Sequence, residues 1–160
     1  MPELPEVETV RRGLADLLPG QAVVRATVFD SPKSFPNSPT DVQQFLYGAH
    51  VTAVRRRAKV LMIDLDTRYS LVIHLKMTGQ LIFRGADSFA GGHPNDSLIG
   101  ELPDRSTRVQ IDFADGSRLF FNDQRKFGWM KLMPTDEIEN LPFMQKVGPE
   151  PLDKKTEAGD

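Results

Sequence analysis

The chain contains 160 residues, of which 39% are hydrophobic and 26% charged, with a formal net charge of −2 and no cysteine. This composition is typical of one globular domain, and it excludes disulfides, cysteine nucleophiles and thiolate metal sites. No run of about 18 apolar residues occurs, so we expect no membrane span. The acidic N-terminus lacks the basic and apolar pattern of a signal peptide, so we expect a cytoplasmic protein.

Charge is distributed unevenly along the chain. Residues 135–160 carry a net charge of −4, whereas the other 134 residues carry +2. So small an excess does not by itself predict nucleic-acid binding, and any such prediction has to rest on local clusters of cations. The three histidines, His50, His74 and His93, lack the spacing of metal ligands. We therefore expect no metal site.

Helical periodicity begins at the N-terminus. Apolar residues recur at three- and four-residue steps, which predicts an amphipathic helix over residues 5–18. A Pro-Gly pair follows and ends the helix. A second, shorter helix is predicted where Ser38 is suited to cap a helix that Pro39 opens and that runs to about Tyr47.

The rest of the chain is dominated by short β-rich runs. Residues 85–105 contain several glycines and prolines and predict a long loop. Many short strands with one or two helices predict a mainly β (α+β) fold, a two-sheet β-sandwich with an N-terminal helix and a second short flanking helix. The predicted strands are residues 22–29, 51–57, 59–65, 69–76, 80–84, 107–113, 117–122 and 128–133.

The first residues predict chemistry at the N-terminus. Removal of Met1 leaves Pro2 as the N-terminal residue, and its secondary amine is able to attack a sugar C1′ and form an iminium linkage. Glu3 places a carboxylate beside that amine. If Met1 is retained, the Pro2 nitrogen belongs to an amide and cannot attack.

The run from Pro2 to Thr9, followed by Arg11-Arg12-Gly13, resembles the start of the bacterial formamidopyrimidine-DNA glycosylase family. The resemblance implies a bifunctional base-excision-repair glycosylase and AP lyase. It flips out an oxidised purine (formamidopyrimidine or 8-oxoguanine), forms a Schiff base at the N-terminal proline and completes β,δ-elimination. The resemblance gives Glu3 a general acid/base role and places Glu6 near the lesion. Glu8 is expected only to interact favourably with the positive end of the helix dipole, so Glu8→Ala should change lesion processing little.

Four cations occur within Arg55–Lys59. On a strand, Arg55, Arg57 and Lys59 share one face, and Arg56 points to the other. Such a cluster either attracts a polyanion or protects a solvated edge strand. The sequence from Arg56 to Lys59 also resembles the family's Arg-Arg-Ala-Lys motif, which implies that Lys59 lies in the active site and contacts a phosphate.

Two predicted loops carry candidate DNA contacts. Met77 lies near a turn tip, where an apolar side chain either caps the core or enters the DNA helix when a base is extruded. Arg125, Lys126 and Phe127 lie together in a second loop. Such a loop either stacks on and pairs with an orphaned base or is an ordinary turn anchored by its aromatic residue. The resemblance implies that Met77, Arg125 and Phe127 fill the gap left by the flipped nucleotide, with Arg125 facing the estranged cytosine.

The chain departs from the family's pattern at two positions in the second loop and at one position near residue 108. Lys126, which the resemblance assigns to a phosphate, replaces a second arginine and loses its bidentate geometry. Gln124 replaces a proline. Arg108 stands where the family often has histidine, and we expect it to contact phosphate.

The segment Gly148-Pro149-Glu150-Pro151-Leu152 also resembles the family's domain boundary. We expect residues 1–148 to form the N-terminal catalytic domain and residues 149–160 to begin an interdomain linker. The resemblance places a helix–two-turn–helix domain and a zinc finger beyond this sequence, so no cofactor is expected in this chain.

We expect a monomer that binds damaged double-stranded DNA, associates with the nucleoid and does not bind membranes. Two alternatives remain open. One is a non-catalytic domain with a vestigial site that binds damaged DNA or is structural, inactive as an isolated fragment. The other is a β-sandwich with no role on nucleic acid.

Overall fold

The computed structural model describes residues 3–145, apart from the side chains of Phe143 and Gln145. Its helices are α1 (Leu4–Leu17), α2 (Pro39–Phe45) and a single turn, α3 (Pro142–Gln145), with 3-10 turns at Pro32–Ser34, Asp96–Leu98 and Thr135–Asn140. The strands are β1 (Val23–Val28), β2 (Val51–Arg57), β3 (Val60–Leu65), β4 (Tyr69–His74), β5 (Gly79–Arg84), β6 (Ser88–Gly92), β7 (Thr107–Phe113), β8 (Arg118–Asp123) and β9 (Trp129–Pro134).

Within the described residues the strands form two antiparallel sheets. One has the order β1-β7-β8-β5-β6 and the other the order β2-β3-β4-β9. A single core joins them, with Leu61 and Ile73 from the smaller sheet and Leu81 and Phe121 from the larger one, each buried at 0% exposure. The predicted two-sheet sandwich with an N-terminal helix and a short second helix is therefore confirmed.

Strand β3 is buried on both faces, because successive side chains point to opposite sides of a sheet. Leu61 and Ile63 enter the main core, and Val60 and Met62 enter a second, smaller cluster. The 3-10 turn Thr135–Asn140 covers that second cluster with Ile138. The smaller sheet consequently has apolar packing on both sides.

Helix α1 packs against β2, an edge of the smaller sheet, and against β6, an edge of the larger one. Val7, Val10 and Leu14 form its buried stripe. On the β6 side, a Cβ added to Gly13 would lie 2.3 Å from the Phe89 ring, so the glycine makes the close approach of helix and strand possible. The helix that follows the N-terminus is thereby fixed to both sheets.

The prediction of a long loop over residues 85–105 is wrong in part. Strand β6 lies inside it and pairs with β5, with Phe83 opposite Phe89. The segment Ser88–Gly92 has mostly small residues and lacks β-branched ones, so it carries no sequence signal for a strand. Pairing with β5 and packing under α1 make it a strand.

One further expectation differs from the structure. Strand β3 starts at Val60, so Lys59 lies in the β2–β3 turn and not on a strand. The expected domain boundary at residue 148 lies outside the described residues. Across the part of the chain that the structure describes, no helix has the length and apolar character needed to cross a bilayer.

Substitution of Gly13 by Ala tests the contact between α1 and β6. Alanine ordinarily stabilises a helix interior by about 1 kcal/mol relative to glycine. Here we expect overpacking against Phe89 to outweigh that gain and to lower the free energy of unfolding by about 1–3 kcal/mol, measured by urea denaturation. In the Gly13→Ala/Phe89→Leu double variant the loss should be smaller than the sum of the single losses. Additive losses would contradict the contact.

Candidate active site

The first turn of α1 holds two of the predicted acidic residues. Glu3 is the N-cap, and its side chain and that of Glu6 form a capping box. The Glu3 backbone N–H donates to Glu6 Oε1 at 2.6 Å. Both side chains are exposed. Pro2 lies outside the described residues, so the structure places its nearest described neighbour, Glu3, at the start of the helix.

Glu8 has a different environment from the one expected. Its carboxylate accepts hydrogen bonds from Arg11, Arg12 and Arg56, and the Arg56 side chain is only 4% exposed. The hydrogen bond from Arg11 is the largest of the effects that lower the Glu8 pKa to about 2, with Arg56 and Arg12 contributing and burial opposing them. The expectation that Glu8 serves only the helix dipole is therefore wrong, and the small effect expected of Glu8→Ala, which rested on it, loses its basis.

The arginines of β2 form ion pairs with carboxylates. Arg55 Nε lies 2.5 Å from Asp64 Oδ2 on β3. Arg57 pairs with Glu139 of the 3-10 turn, and Arg56 points to the opposite side toward Glu8. The predicted shared face thus contributes little unpaired charge.

Lys59 differs from these arginines. It follows Ala58, whose φ of +53° is in the left-handed region, so the chain turns sharply there. The lysine is partly exposed and forms no ion pair with any residue in the range 3–145. Its ammonium group is available to an anion from outside.

His74 stands beside this turn and was missed by the sequence interpretation. It ends β4 directly opposite Val60. Burial, and then the positive charges of Lys76 and Lys59, lower its pKa to about 4. The Lys76 backbone N–H donates to Nδ1 at 3.0 Å, so in the neutral ring Nε2 carries the proton. The imidazole is a neutral hydrogen-bond donor beside two lysines.

The two predicted DNA-contact loops are adjacent in the structure. Met77 is 42% exposed and Phe127 is 55% exposed, which is unusual for large apolar side chains. The Arg125 guanidinium lies 4.9 Å from the centre of the Phe127 ring. Gly79 pairs with Asp123 where β5 meets β8, which brings the loops to one end of the larger sheet.

Asp123 connects these loops and was also missed. It is fully buried. Its Oδ1 accepts from the Thr78 hydroxyl and from Arg125 N (3.2 Å), and its Oδ2 accepts from Gly128 N at 2.5 Å. One carboxylate therefore holds the turn that carries Met77 and the loop that carries Arg125 and Phe127.

Of the two remaining predicted cations, Lys126 lies within the second loop and Arg108 contacts the backbone at the end of β8. Arg108 is buried, and its guanidinium donates to the carbonyl oxygens of Asp123 (2.8 Å) and Arg105 (3.1 Å), so it braces the backbone. It also lines a surface cavity of about 450 Å³. Lys126 has a φ of +61° and lies 3.6 Å from Asp30. Phosphate contacts by either residue stay predictions.

Comparisons with known proteins point to one family. The sequence profile of the formamidopyrimidine-DNA glycosylase N-terminal domain matches residues 1–130. Curated relatives include the formamidopyrimidine-DNA glycosylases of Jannaschia sp. (43% identical over 154 residues) and Dinoroseobacter shibae (39% over 152 residues). Each alignment covers 95% of this chain and 52% of the relative. The chain spans about half the length of the curated relatives it matches.

Solved structures with the same fold include the Lactococcus lactis formamidopyrimidine-DNA glycosylase. In its complex with DNA containing an AP site, the TM-score is 0.75 at 30% identity, covering 93% of this chain and 52% of that one. In its complex with DNA containing N7-benzyl-Fapy-dG, the TM-score is 0.76 at 29% identity, covering 94% and 50%.

Replacement of Asp123 by Asn should loosen both loops. The amide keeps the shape of the side chain but turns an NH₂ toward backbone donors, at a cost of about 1–3 kcal/mol. We expect faster amide hydrogen exchange at Arg125 and Gly128. Asp115→Asn, at the opposite end of β8, is the matched control and should leave that exchange unchanged. Equal exchange in all three proteins would contradict the role of Asp123.

The lowered pKa of His74 predicts a loss of stability in mild acid. Its pKa is about 4 in the folded chain against an ordinary 6.5, so between these values the unfolded chain binds more protons. The contribution of His74 is complete above pH 6.5 and declines as the pH falls toward 4. Urea midpoints should therefore fall from pH 6.5 to 4.5, above the titration range of Glu8, and fall less in His74→Gln. The same slope in both proteins would contradict this assignment.

Proposed function

The chain belongs to the formamidopyrimidine-DNA glycosylase family, and from that premise we propose that it is the catalytic domain of a bifunctional glycosylase and AP lyase. Its substrate would be duplex DNA that contains an oxidised purine. The observation that carries the proposal is the grouping of exposed Met77, Arg125 and Phe127 on two loops held by one buried carboxylate. Exposed apolar and aromatic side chains on rigid supports suit a site that replaces a base in a stack.

The proposed reaction begins with extrusion of the damaged nucleotide. Unstacking a base costs a few kcal/mol, and wedge side chains offset part of that cost. Met77 and Phe127 would fill the gap. Arg125, stacked on Phe127, would present its guanidinium to the estranged cytosine. The rigid support from Asp123 lowers the entropy lost when these side chains enter the DNA.

Covalent chemistry would follow at the N-terminal amine. The lone pair of the Pro2 nitrogen attacks C1′, the bond to the damaged base breaks, and the base leaves with a proton. The sugar ring opens to an iminium ion, with Glu3 transferring protons at the ring oxygen. Loss of a C2′ proton then expels the 3′ phosphate, and a second elimination expels the 5′ phosphate. None of these steps requires a cofactor.

The phosphates beside the lesion would be held by the cationic turn. Lys59 supplies a point charge that no described carboxylate neutralises. His74 is neutral at physiological pH and supplies a hydrogen bond from Nε2. Glu6, which the family places near the lesion, is occupied by the capping box and would support the position of Glu3.

We further propose that the protein acts as a monomer in the bacterial cytoplasm, on DNA of the nucleoid, with no cofactor bound to this domain. The family's zinc finger would belong to another part of the molecule. Phosphate contacts by Lys59, Arg108 and Lys126 make the affinity for duplex DNA dependent on salt concentration.

Borohydride trapping on duplexes with an abasic site or 8-oxoguanine tests the proposed nucleophile. The intact gene product, with Met1 removed, should give a covalent protein–DNA adduct. The adduct should be lost in Pro2→Gly and in a protein with a residue retained before Pro2, because the nitrogen is then an amide. Duplex binding without an adduct would identify a non-catalytic DNA-binding domain. No binding at low salt would favour a sandwich with no role on DNA.

Two lysine variants distinguish a specific role of Lys59 from a general effect of positive charge on DNA binding. Lys59→Ala should slow lesion processing strongly, because a phosphate contact at the reacting nucleotide is lost. Lys33→Ala removes the same charge from an exposed position in the 3-10 turn Pro32–Ser34 and should have little effect. Equal losses would count against the assignment of Lys59.

A further inference from the structure

A chain of contacts links the N-terminal helix to the turn that carries Lys59. It starts at Glu8, in the first turns of α1, passes through the buried guanidinium of Arg56 on β2, and ends at the carbonyl of Ala58. The assigned roles of Pro2 and Lys59 do not account for these contacts.

The Glu8 end of the link is fully satisfied. Oε1 accepts from Arg56 Nε at 2.8 Å and from Arg11 Nε at 3.0 Å, and Oε2 accepts from Arg11 Nη2 at 2.8 Å and from Arg12 Nε at 2.9 Å. The low pKa of Glu8 means that it stays ionised across the working pH range. Charged, multiply hydrogen-bonded contacts of this kind have little freedom to move.

The Arg56 end acts on the backbone next to Lys59. Arg56 Nη1 donates to Ala58 O at 3.0 Å, and that carbonyl belongs to the peptide bond that joins Ala58 to Lys59. Ala58 is in the left-handed region, which a residue with a Cβ holds only when its surroundings impose it. One planar guanidinium thus holds both α1 and the strained turn.

Resting on the proposed function, we propose that Glu8 and Arg56 are positioning residues that set the distance between the N-terminal amine and the Lys59 ammonium. The amine must approach C1′ while the lysine holds a phosphate of the same nucleotide. Reaction rates respond steeply to displacements of this kind. The pair acts through Pro2 and Lys59 and does not touch the DNA.

Single-turnover trapping in the intact gene product tests the role. Arg56→Lys keeps the charge and is able to pair with Glu8, but it lacks the fork that also reaches Ala58. We expect the rate of adduct formation to fall by about 10- to 100-fold. The Kd for a duplex with a tetrahydrofuran abasic analogue should stay close to that of the parent. Glu8→Gln, which retains the size of the side chain, should show the same separation of rate from binding.

Arg55→Lys is the matched control. Arg55 is the neighbouring residue on β2 and also pairs with a carboxylate, but its partner Asp64 lies within the β2–β3 hairpin. We expect the parent rate from this variant. The unfolding midpoint of each protein, measured alongside, confirms that the assay contains folded protein, and Glu8→Gln decides the result if Arg56→Lys does not fold.

The outcomes separate the two proposals. Parent rates in folded Arg56→Lys and Glu8→Gln would overturn the positioning role and leave the proposed function intact. Equal losses in Arg55→Lys and Arg56→Lys would also overturn it, because the effect would then follow general stability of the hairpin. The absence of any adduct from the parent would overturn the proposed function and the positioning role together.

Discussion

The position of α1 is the constraint on which the arrangement of the site depends. The helix starts directly after the proposed nucleophile, and its two sides contact edge strands of different sheets. On one side Gly13 admits the ring of Phe89 from β6, and on the other Glu8 holds Arg56 of β2. Because the two sheets share one apolar core, the start of the helix has a fixed place relative to loops from both sheets.

The loops themselves show how a protein presents apolar side chains to solvent without losing their geometry. Met77 and Phe127 keep 42% and 55% of their surface exposed in the free protein, and each lies on a short connection between strands. Asp123 fixes their geometry, because its buried carboxylate accepts hydrogen bonds from a hydroxyl of the first connection and from two backbone N–H groups of the second. An unpaired carboxylate at that depth would be costly, so the loops and the aspartate fix one another.

Most of the positive charge near the site is paired with carboxylates, and little of it is left for an outside anion. The chain is slightly acidic overall, with a pI of about 5.9, and the arginines of β2 are held by Asp64, Glu8 and Glu139. The lysine in the following turn is left for an outside anion, and the histidine next to it is kept neutral. Local exposure of lysine ammonium groups, and not a large net charge, would suit this end of the molecule to the proposed phosphate contact.

Patterns local in the chain were enough for the helix of residues 5–18, most strands and the two-sheet class. The roles of Lys59, Met77 and Phe127 came from the resemblance to the family and stay predictions. Periodicity and turn chemistry arise between neighbours in sequence, so a single sequence carries them. Strand β6 was missed because its small residues become a strand only against β5 and α1. Only the tertiary structure shows that Glu8 contacts Arg56, that Asp123 contacts Thr78 and that His74 lies near Lys59. Burial, ion pairing and pKa depend on distances between residues remote in sequence, and those distances exist only after folding.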